Sequence, residues 1–257
     1  MKQIPNLFTL LNLFLGCVAI VFALQTEAIT VTVQQDFTTS ISIPEKLALA
    51  SLLLYAAAVV DFLDGFVARL FNATSEMGKQ LDSLADVVSF GVAPGVIIYQ
   101  LLRMSYLRED ASLEMPLLAL LPAFILSCAA AYRLAKFNLD SSQKYSFKGV
   151  PTPAVGLFVA SFPLIIFFGE NIADVNSWLS NKWVLYALIL ILSWLMVSNL
   201  PLMAFKFKNL SVKNNLPQFL LVFIAIVSII FLKWLAVPLI FIAYIILSLA
   251  FKNKTTP

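Results

Sequence analysis

Apolar runs long enough to cross a bilayer recur along almost the whole chain, and they leave it few ways to fold. A hydrocarbon layer about 30 Å thick takes about 20 apolar residues of helix. Eight runs approach that length, at roughly 5–24, 47–70, 83–102, 116–136, 153–169, 184–204, 216–232 and 234–251. In lipid each backbone N–H and C=O must find its partner within the segment, so such runs are expected to be helices. Composition agrees: 61% of the 257 residues are hydrophobic and 12% charged, with mean hydropathy +0.92, whereas soluble domains are nearer half apolar and a quarter charged. The expectation is an all-α integral membrane protein, a bundle of about eight transmembrane helices in a single membrane domain spanning 1–257. Lys2 is the only charge ahead of the first run, and no small-residue cleavage site follows Leu24. That run is expected to stay as a transmembrane helix.

Orientation follows from the cations, which are enriched on the cytoplasmic side of membrane proteins. With eight crossings and the N-terminus inside, Lys2, Arg69, Lys79, Arg133, Lys136, Lys144, Lys148, Lys206, Lys208, Lys213, Lys252 and Lys254 face the cytoplasm. Lys46, Arg103, Arg108, Lys182 and Lys233 face the other side, together with Glu27, Asp36, Glu45, Glu109, Asp110, Glu114, Glu170 and Asp174. Both termini are therefore expected in the cytoplasm. The net charge of +3 gives no reason to expect a nucleic-acid partner.

The chain has no histidine, which excludes histidine bases, histidine metal ligands and histidine-ligated haem. Acid–base and metal chemistry then fall to carboxylates, Lys, Tyr or Cys. Cys17 and Cys128 sit in apolar runs and are expected to be small buried packing residues.

One segment stands out against this apolar background. Asp61 and Asp64 close the second run, and Asp82 and Asp86 open the third. Carboxylates near a membrane interior are costly and usually face a protein cavity. Asp61, Asp64, Gly65 and Ala68 fall at i, i+3, i+4 and i+7, one face of a helix. Gly78, Asp82 and Asp86, at i, i+4 and i+8, share a face of the next helix. A turn around Asn72–Glu76 would bring the two pairs together. Four carboxylates repel one another unless cations neutralise them. Hard oxygen ligands of this kind suit Mg²⁺ or Mn²⁺, usually alongside a substrate's phosphates, and two such ions can clamp a phosphoryl group. Gly65 and Ala68 keep the face small, and Arg69 offers a planar fork to phosphate.

Asp61, Asp64, Gly65, Ala68, Arg69, Gly78, Asp82 and Asp86 resemble, without a gap or a substitution, the signature of the CDP-alcohol phosphotransferase family. The resemblance implies a six-helix catalytic core, about 1–204, here followed by two additional C-terminal transmembrane helices at about 205–257. It implies a homodimer in the cytoplasmic (inner) membrane, with the active site facing the cytoplasm. It implies two divalent ions, Mg²⁺ or Mn²⁺, held by Asp61, Asp64, Asp82 and Asp86. Asp61, Asp82 and Asp86 would be catalytic, and Asp86 would act as general base. Asn6, Asp64, Gly65, Ala68, Arg69, Gly78 and the hydroxyl of Thr74 or Ser75 would bind CDP-diacylglycerol.

Shorter motifs narrow the acceptor. Ser89 to Pro94, Arg133 to Asn138 and Phe147 to Pro153 look like stretches of the family's serine-using branch, the phosphatidylserine synthases. L-serine is then the second substrate, and Ser89, Arg133, Lys136, Asn138 and Lys148 form its expected pocket, because a zwitterion's carboxylate needs a cation. Two other readings stay open. A family member acting on glycerol 3-phosphate or inositol phosphate would need a pocket for a second phosphate. A cation-coupled transporter would use the aspartates as an ion path, but it would not need Arg69 and small residues on the carboxylate face. Gly91, Pro94 and Gly95 either kink the third helix or shape the substrate site.

Overall fold

The computed structural model describes residues 4–25, 31–33, 39–41, 45–71, 75–109, 117–139, 147–169, 173–203 and 215–251. Its elements run α1 (Ile4–Leu24), β1 (Val31–Val33), β2 (Thr39–Ile41), α2 (Glu45–Leu70) and α3 (Glu76–Asp86). A π-helical segment (Val87–Val92) leads into α4 (Ala93–Glu109). After it come α5 (Leu117–Leu120), a 3₁₀ turn (Leu121–Phe124), α6 (Ile125–Leu139) and β3 (Phe147–Lys148). The chain continues through α7 (Thr152–Phe168), α8 (Ala173–Leu179), α9 (Lys182–Val197) and β4 (Pro201–Leu202). It closes with α10 (Leu216–Leu232), a 3₁₀ turn (Lys233–Leu235) and α11 (Ala236–Ala250). β1 pairs with β2, and β3 with β4, both antiparallel.

Among the described residues, Pro5–Leu24, Lys46–Leu70, Glu76–Leu107, Leu117–Leu139 and Leu216–Ala250 are helical stretches long and apolar enough to cross a membrane. The shorter apolar helices are Thr152–Phe168 and Lys182–Val197. The protein is thus an all-α membrane protein. α4 and α7 form its interior. Ile97, Ile98 and Leu102 pack with Leu126 of α6, Phe162 of α7, Leu185 and Ile189 of α9 and Leu54 of α2, all essentially inaccessible. The α10–α11 pair lies at the periphery and turns Phe223, Ile226, Ile230 and Phe231 outward. A helix apolar all round is solvated by lipid on the side its neighbours do not cover.

Three expectations need correcting. The sixth run does not stay helical to 204: α9 ends at Val197. Residues 201–202 form a strand instead, because Pro201 has no N–H to give an interior helical turn. The third helical rod begins well before 83, at Glu76, since Ser75 caps it by accepting from the Gly78 N–H at 3.0 Å. Cys17 and Cys128 are not buried; both are exposed free thiols.

The glycines of the third rod mark close helix approaches. A Cβ on Gly91 would lie 2.9 Å from the Ala130 Cβ, and one on Gly95 2.7 Å from the Ser127 Oγ. The Ser127 hydroxyl also donates to the Gly91 carbonyl at 3.0 Å, so α6 packs hard against the π segment. α1 presses on the same segment from its other side. A Cβ on Gly16 would come within 2.8 Å of the Ser89 backbone, and Ser89 donates its hydroxyl to the Asn12 carbonyl at 3.0 Å.

Gly16→Val should therefore pry α1 from the π segment and destabilise the protein by about 1–3 kcal/mol, read as a lower Tm in detergent. Gly65→Ala, whose added methyl meets nothing within 4 Å, should leave Tm unchanged or slightly raised.

Candidate active site

The helical period carries Asp61 and Asp64 to one face of α2, and Gly78, Asp82 and Asp86 to one face of α3. The structure opposes these two faces and lays the start of α1 across them. The resulting pocket, about 330 Å³, is lined by Pro5, Asn6, Thr9, Asp61, Asp64, Gly65, Ala68, Ser75, Gly78, Lys79 and Asp82. Carboxylate oxygens of Asp61, Asp82 and Asp86 lie within 4.8 Å of one another. Asp64 and Asp86 are each 7% exposed, and Asp86 stands immediately before the π segment. Such widened turns are frequent at functional sites.

α1 supplies polar partners from inside an apolar helix. The Thr9 hydroxyl donates to Asp64 Oδ2, and Asn12 Nδ2 reaches Asp86 Oδ1 at 3.4 Å. Asp64 Oδ1 and Asn12 Oδ1 are buried with no hydrogen-bond partner. Buried acceptors rarely go unsatisfied. Two ionised carboxylates at the outer limit of this spacing repel by roughly 3.5 kcal/mol at an effective dielectric constant near 20. Converging carboxylates and orphaned acceptors together fit a site for a hard cation. Asp61, Asp82 and Asp86 could hold one, with Asp64 beside them.

The remaining expected residues fall into three groups. Asn6, Ser75 and Gly78 meet at one wall: a Cβ on Gly78 would lie 3.1 Å from the Ser75 Oγ and 3.2 Å from the Asn6 Oδ1. A side chain there would fill the cradle. Gly65 opposite leaves its surroundings open, and Ala68 lines the same pocket. Arg69 is exposed and folds back along α2, its Nε donating to the Gly65 carbonyl at 2.8 Å. Thr74 lies outside the described residues.

Of the expected acceptor pocket, Arg133 is the cation that acts electrostatically on Asp86. It is 7% exposed and within electrostatic reach of Asp86 and Tyr244. One guanidinium nitrogen reaches Thr152 Oγ1 at 3.5 Å, while its Nε has no partner. The others are engaged elsewhere. Ser89 is sealed in the α1 seam by its bond to Asn12. Lys136 donates to Asn199 Oδ1 at 2.7 Å. Asn138 donates to Ser83 Oγ at 2.8 Å and accepts Lys79 Nζ on its carbonyl at 3.2 Å, tying α6 to α3. Lys148 lies in the short strand β3, opposite Pro201.

Sequence reasoning did not single out Thr9, Asn12, Lys79, Thr152 or Tyr244 as site residues, although Thr9 lies in the Pro5–Thr9 entry to the first helix and Thr152 in the Phe147–Pro153 motif. For Thr9 and Asn12 a signal existed: with Asn6 they are polar residues recurring every third position in an otherwise apolar helix.

A second cavity opens beside Asp61 on the apolar side. It measures about 590 Å³ and is lined by Tyr55, Ala58, Phe62, Ala154, Leu157, Phe241 and Tyr244 among others, with Asp61 shared between it and the polar pocket. The arrangement therefore joins an oxygen-rich, cation-competent pocket to an apolar crevice at Asp61. It can hold a molecule with an anionic head and an apolar tail.

Comparison with known proteins agrees with this chemistry. The chain is 35% identical over 231 residues to a Helicobacter pylori CDP-diacylglycerol–serine O-phosphatidyltransferase, covering 89% of this chain and 81% of that protein. It is 30% identical over 257 residues to the Mycobacterium leprae protein of the same name, covering 96% and 72%. A Methanocaldococcus jannaschii protein of that name is 34% identical over 148 residues, covering 58% and 60%. The family model described as CDP-alcohol phosphatidyltransferase matches residues 2–198, which include every carboxylate of the site, and the chain belongs to that family.

Proposed function

We propose that this chain is a CDP-diacylglycerol–serine O-phosphatidyltransferase, forming phosphatidylserine and CMP from CDP-diacylglycerol and L-serine. The observation that carries the reading is that Asp61, the carboxylate shared by a polar pocket and an apolar crevice, meets Asp82 and Asp86. Relatives bearing that activity's name, matched over most of the chain, support it.

In this reading the enzyme lies in the cytoplasmic membrane as a homodimer, crosses it eight times, and keeps both termini and the active site on the cytoplasmic side. The catalytic core runs to about residue 204, and the last two helices are additional. Asn6, Asp64, Gly65, Ala68, Arg69, Ser75 and Gly78, with Thr74 in the adjoining turn, bind the CDP head of the lipid. Lys79, at the edge of this pocket, adds a positive charge beside the pyrophosphate. The diacylglycerol chains leave through the apolar crevice past Phe62 and Leu157.

Asp61, Asp64, Asp82 and Asp86 would hold two Mg²⁺ or Mn²⁺ ions, which when bound neutralise charge on the phosphoryl oxygens and on the departing CMP. Serine's carboxylate binds Arg133, whose Nε is buried and unpaired. That places the serine hydroxyl toward Asp86. Asp86 takes the hydroxyl proton as the serine oxygen bonds to the phosphatidyl phosphorus and the anhydride bond to CMP breaks. Asn12 holds Asp86 in position by its 3.4 Å contact, and Thr9 orients Asp64. Lys136, Asn138 and Lys148 would act from the rim, and Ser89 would shape the pocket through the α1 seam.

The deciding experiment measures CMP release by the purified protein with CDP-diacylglycerol and Mg²⁺ or Mn²⁺, changing only the acceptor. Release should require L-serine, stop on chelation and vanish in Asp86→Asn. Release with glycerol 3-phosphate or inositol phosphate alone would move the chain to another branch. Ion flux in liposomes without CMP release would point to the transporter.

Arg133→Ala should raise the serine KM at least tenfold, the scale of a lost charge-assisted hydrogen bond of about 1.5–3 kcal/mol. The KM for CDP-diacylglycerol should stay within twofold, and equal changes in both would contradict the assignment. Ala154→Trp, filling the apolar crevice, should raise the KM for long-chain CDP-diacylglycerol and spare a dihexanoyl analogue. Equal effects on the two lipids would remove the chains from that crevice.

A further inference from the structure

The C-terminal hairpin lies beyond residue 198, where the match to the family model ends, yet α11 reaches back to the segment that carries the acceptor motifs. Two of its side chains grip one residue. Tyr244 donates its hydroxyl to the Met203 carbonyl at 3.1 Å, and Ser248 Oγ accepts the Met203 N–H at 3.3 Å. All three residues are buried, so these bonds are shielded from water, which would otherwise compete for them.

Met203 directly follows β4, and β4 pairs with β3 through Phe147 with Leu202 and Lys148 with Pro201. The grip is thereby passed to the next residues. The Gly149 N–H donates to the Leu200 carbonyl at 2.9 Å and the Val150 N–H to the Leu195 carbonyl at 3.1 Å. Gly149 has φ +77°, and a Cβ there would lie 2.4 Å from the Met196 carbonyl oxygen. Only glycine allows the chain to lie this tightly on the end of α9. Three residues after Gly149, Thr152 meets the guanidinium of Arg133. The Tyr244 hydroxyl lies within electrostatic reach of the same guanidinium, and Tyr244 borders the crevice that contains Asp61. An unbroken path of contacts thus leads from α11 through Met203, the β3–β4 pair and Thr152 to Arg133.

We propose that the C-terminal hairpin braces the acceptor site, and that Tyr244, holding the Met203 backbone at the end of the β3–β4 pair, is a positioning residue for the acceptor alcohol. This rests on the reading of Arg133 as the acceptor's cation. Tyr244 touches neither the reacting hydroxyl nor the phosphate. It sets where Arg133 and the Lys148–Thr152 segment stand when the acceptor binds.

Tyr244→Phe removes only the hydroxyl and keeps the ring in the crevice. It should raise the acceptor KM about three- to tenfold, the range expected from one lost buried hydrogen bond. The KM for CDP-diacylglycerol and kcat should stay within twofold. Ser248→Ala, acting on the other side of Met203, should shift the acceptor KM in the same direction. Ile242→Ala, an outward-facing change on the same helix, should leave both KM values alone.

An unchanged acceptor KM in both Tyr244→Phe and Ser248→Ala would overturn the proposal. So would a parallel rise of both KM values, which is the mark of general loosening. Should Tyr244→Phe fail to fold, the Ser248→Ala split decides alone. The wild-type acceptor is established first. If it is not serine, that reading falls by itself, and the same KM split measured with the true acceptor still decides the role of Tyr244.

Discussion

Mutual repulsion among carboxylates inside an apolar bundle is the constraint around which the rest of this protein is arranged. Asp61, Asp82 and Asp86 bring acceptor oxygens within 4.8 Å of one another, and no packing advantage offsets such an arrangement by itself. The surrounding structure supports it in three ways. α1 inserts Thr9 and Asn12 against Asp64 and Asp86. The π segment after Asp86 is clasped by Ser127 from α6 and seated against Gly16 of α1. Arg133 places a buried positive charge within reach of Asp86. What stays unsatisfied, Asp64 Oδ1 and Asn12 Oδ1, is acceptor capacity suited to a cation.

The same site divides the molecule by polarity. The mouth, between Asn6, Ser75, Gly78 and Lys79, is open to a polar head group, and the crevice on the other side of Asp61 is walled almost wholly by apolar side chains. An enzyme acting on a lipid needs both compartments to open on its chemistry. Helices that are apolar all round, α10 and α11 above all, can serve as a wall of that crevice and as a lipid-facing surface at once.

Much of this was legible in the sequence because helical periodicity is a local property. The i, i+3, i+4, i+7 spacing of Asp61, Asp64, Gly65 and Ala68 puts them on one face wherever the helix goes, and the structure lines one pocket with all four. The absence of histidine directs attention to carboxylates before any fold is known. Contacts made at long range were hidden. Nothing local marks Tyr244 as a neighbour of Arg133, 111 positions earlier in the chain. Ser89 reads as a pocket hydroxyl from its place after Asp86, yet the tight α1 approach at Gly16 commits it to the Asn12 carbonyl. Lys136 and Asn138 share a motif with Arg133, but the turn of the helix sends them to Asn199 and Ser83. Cys17 and Cys128 misled for a related reason: in a membrane bundle apolar residues face outward as readily as inward.

The claim on which everything else depends is that these carboxylates hold divalent cations. A crystal structure of the protein grown with Mn²⁺, with anomalous data collected at the manganese edge, tests it directly. The account predicts anomalous peaks in contact with Asp61, Asp82 and Asp86, with Asp64 Oδ1 drawn into the same ligand set. Saturating Mn²⁺ with no peak among these carboxylates, or peaks bound elsewhere in an active enzyme, would contradict it.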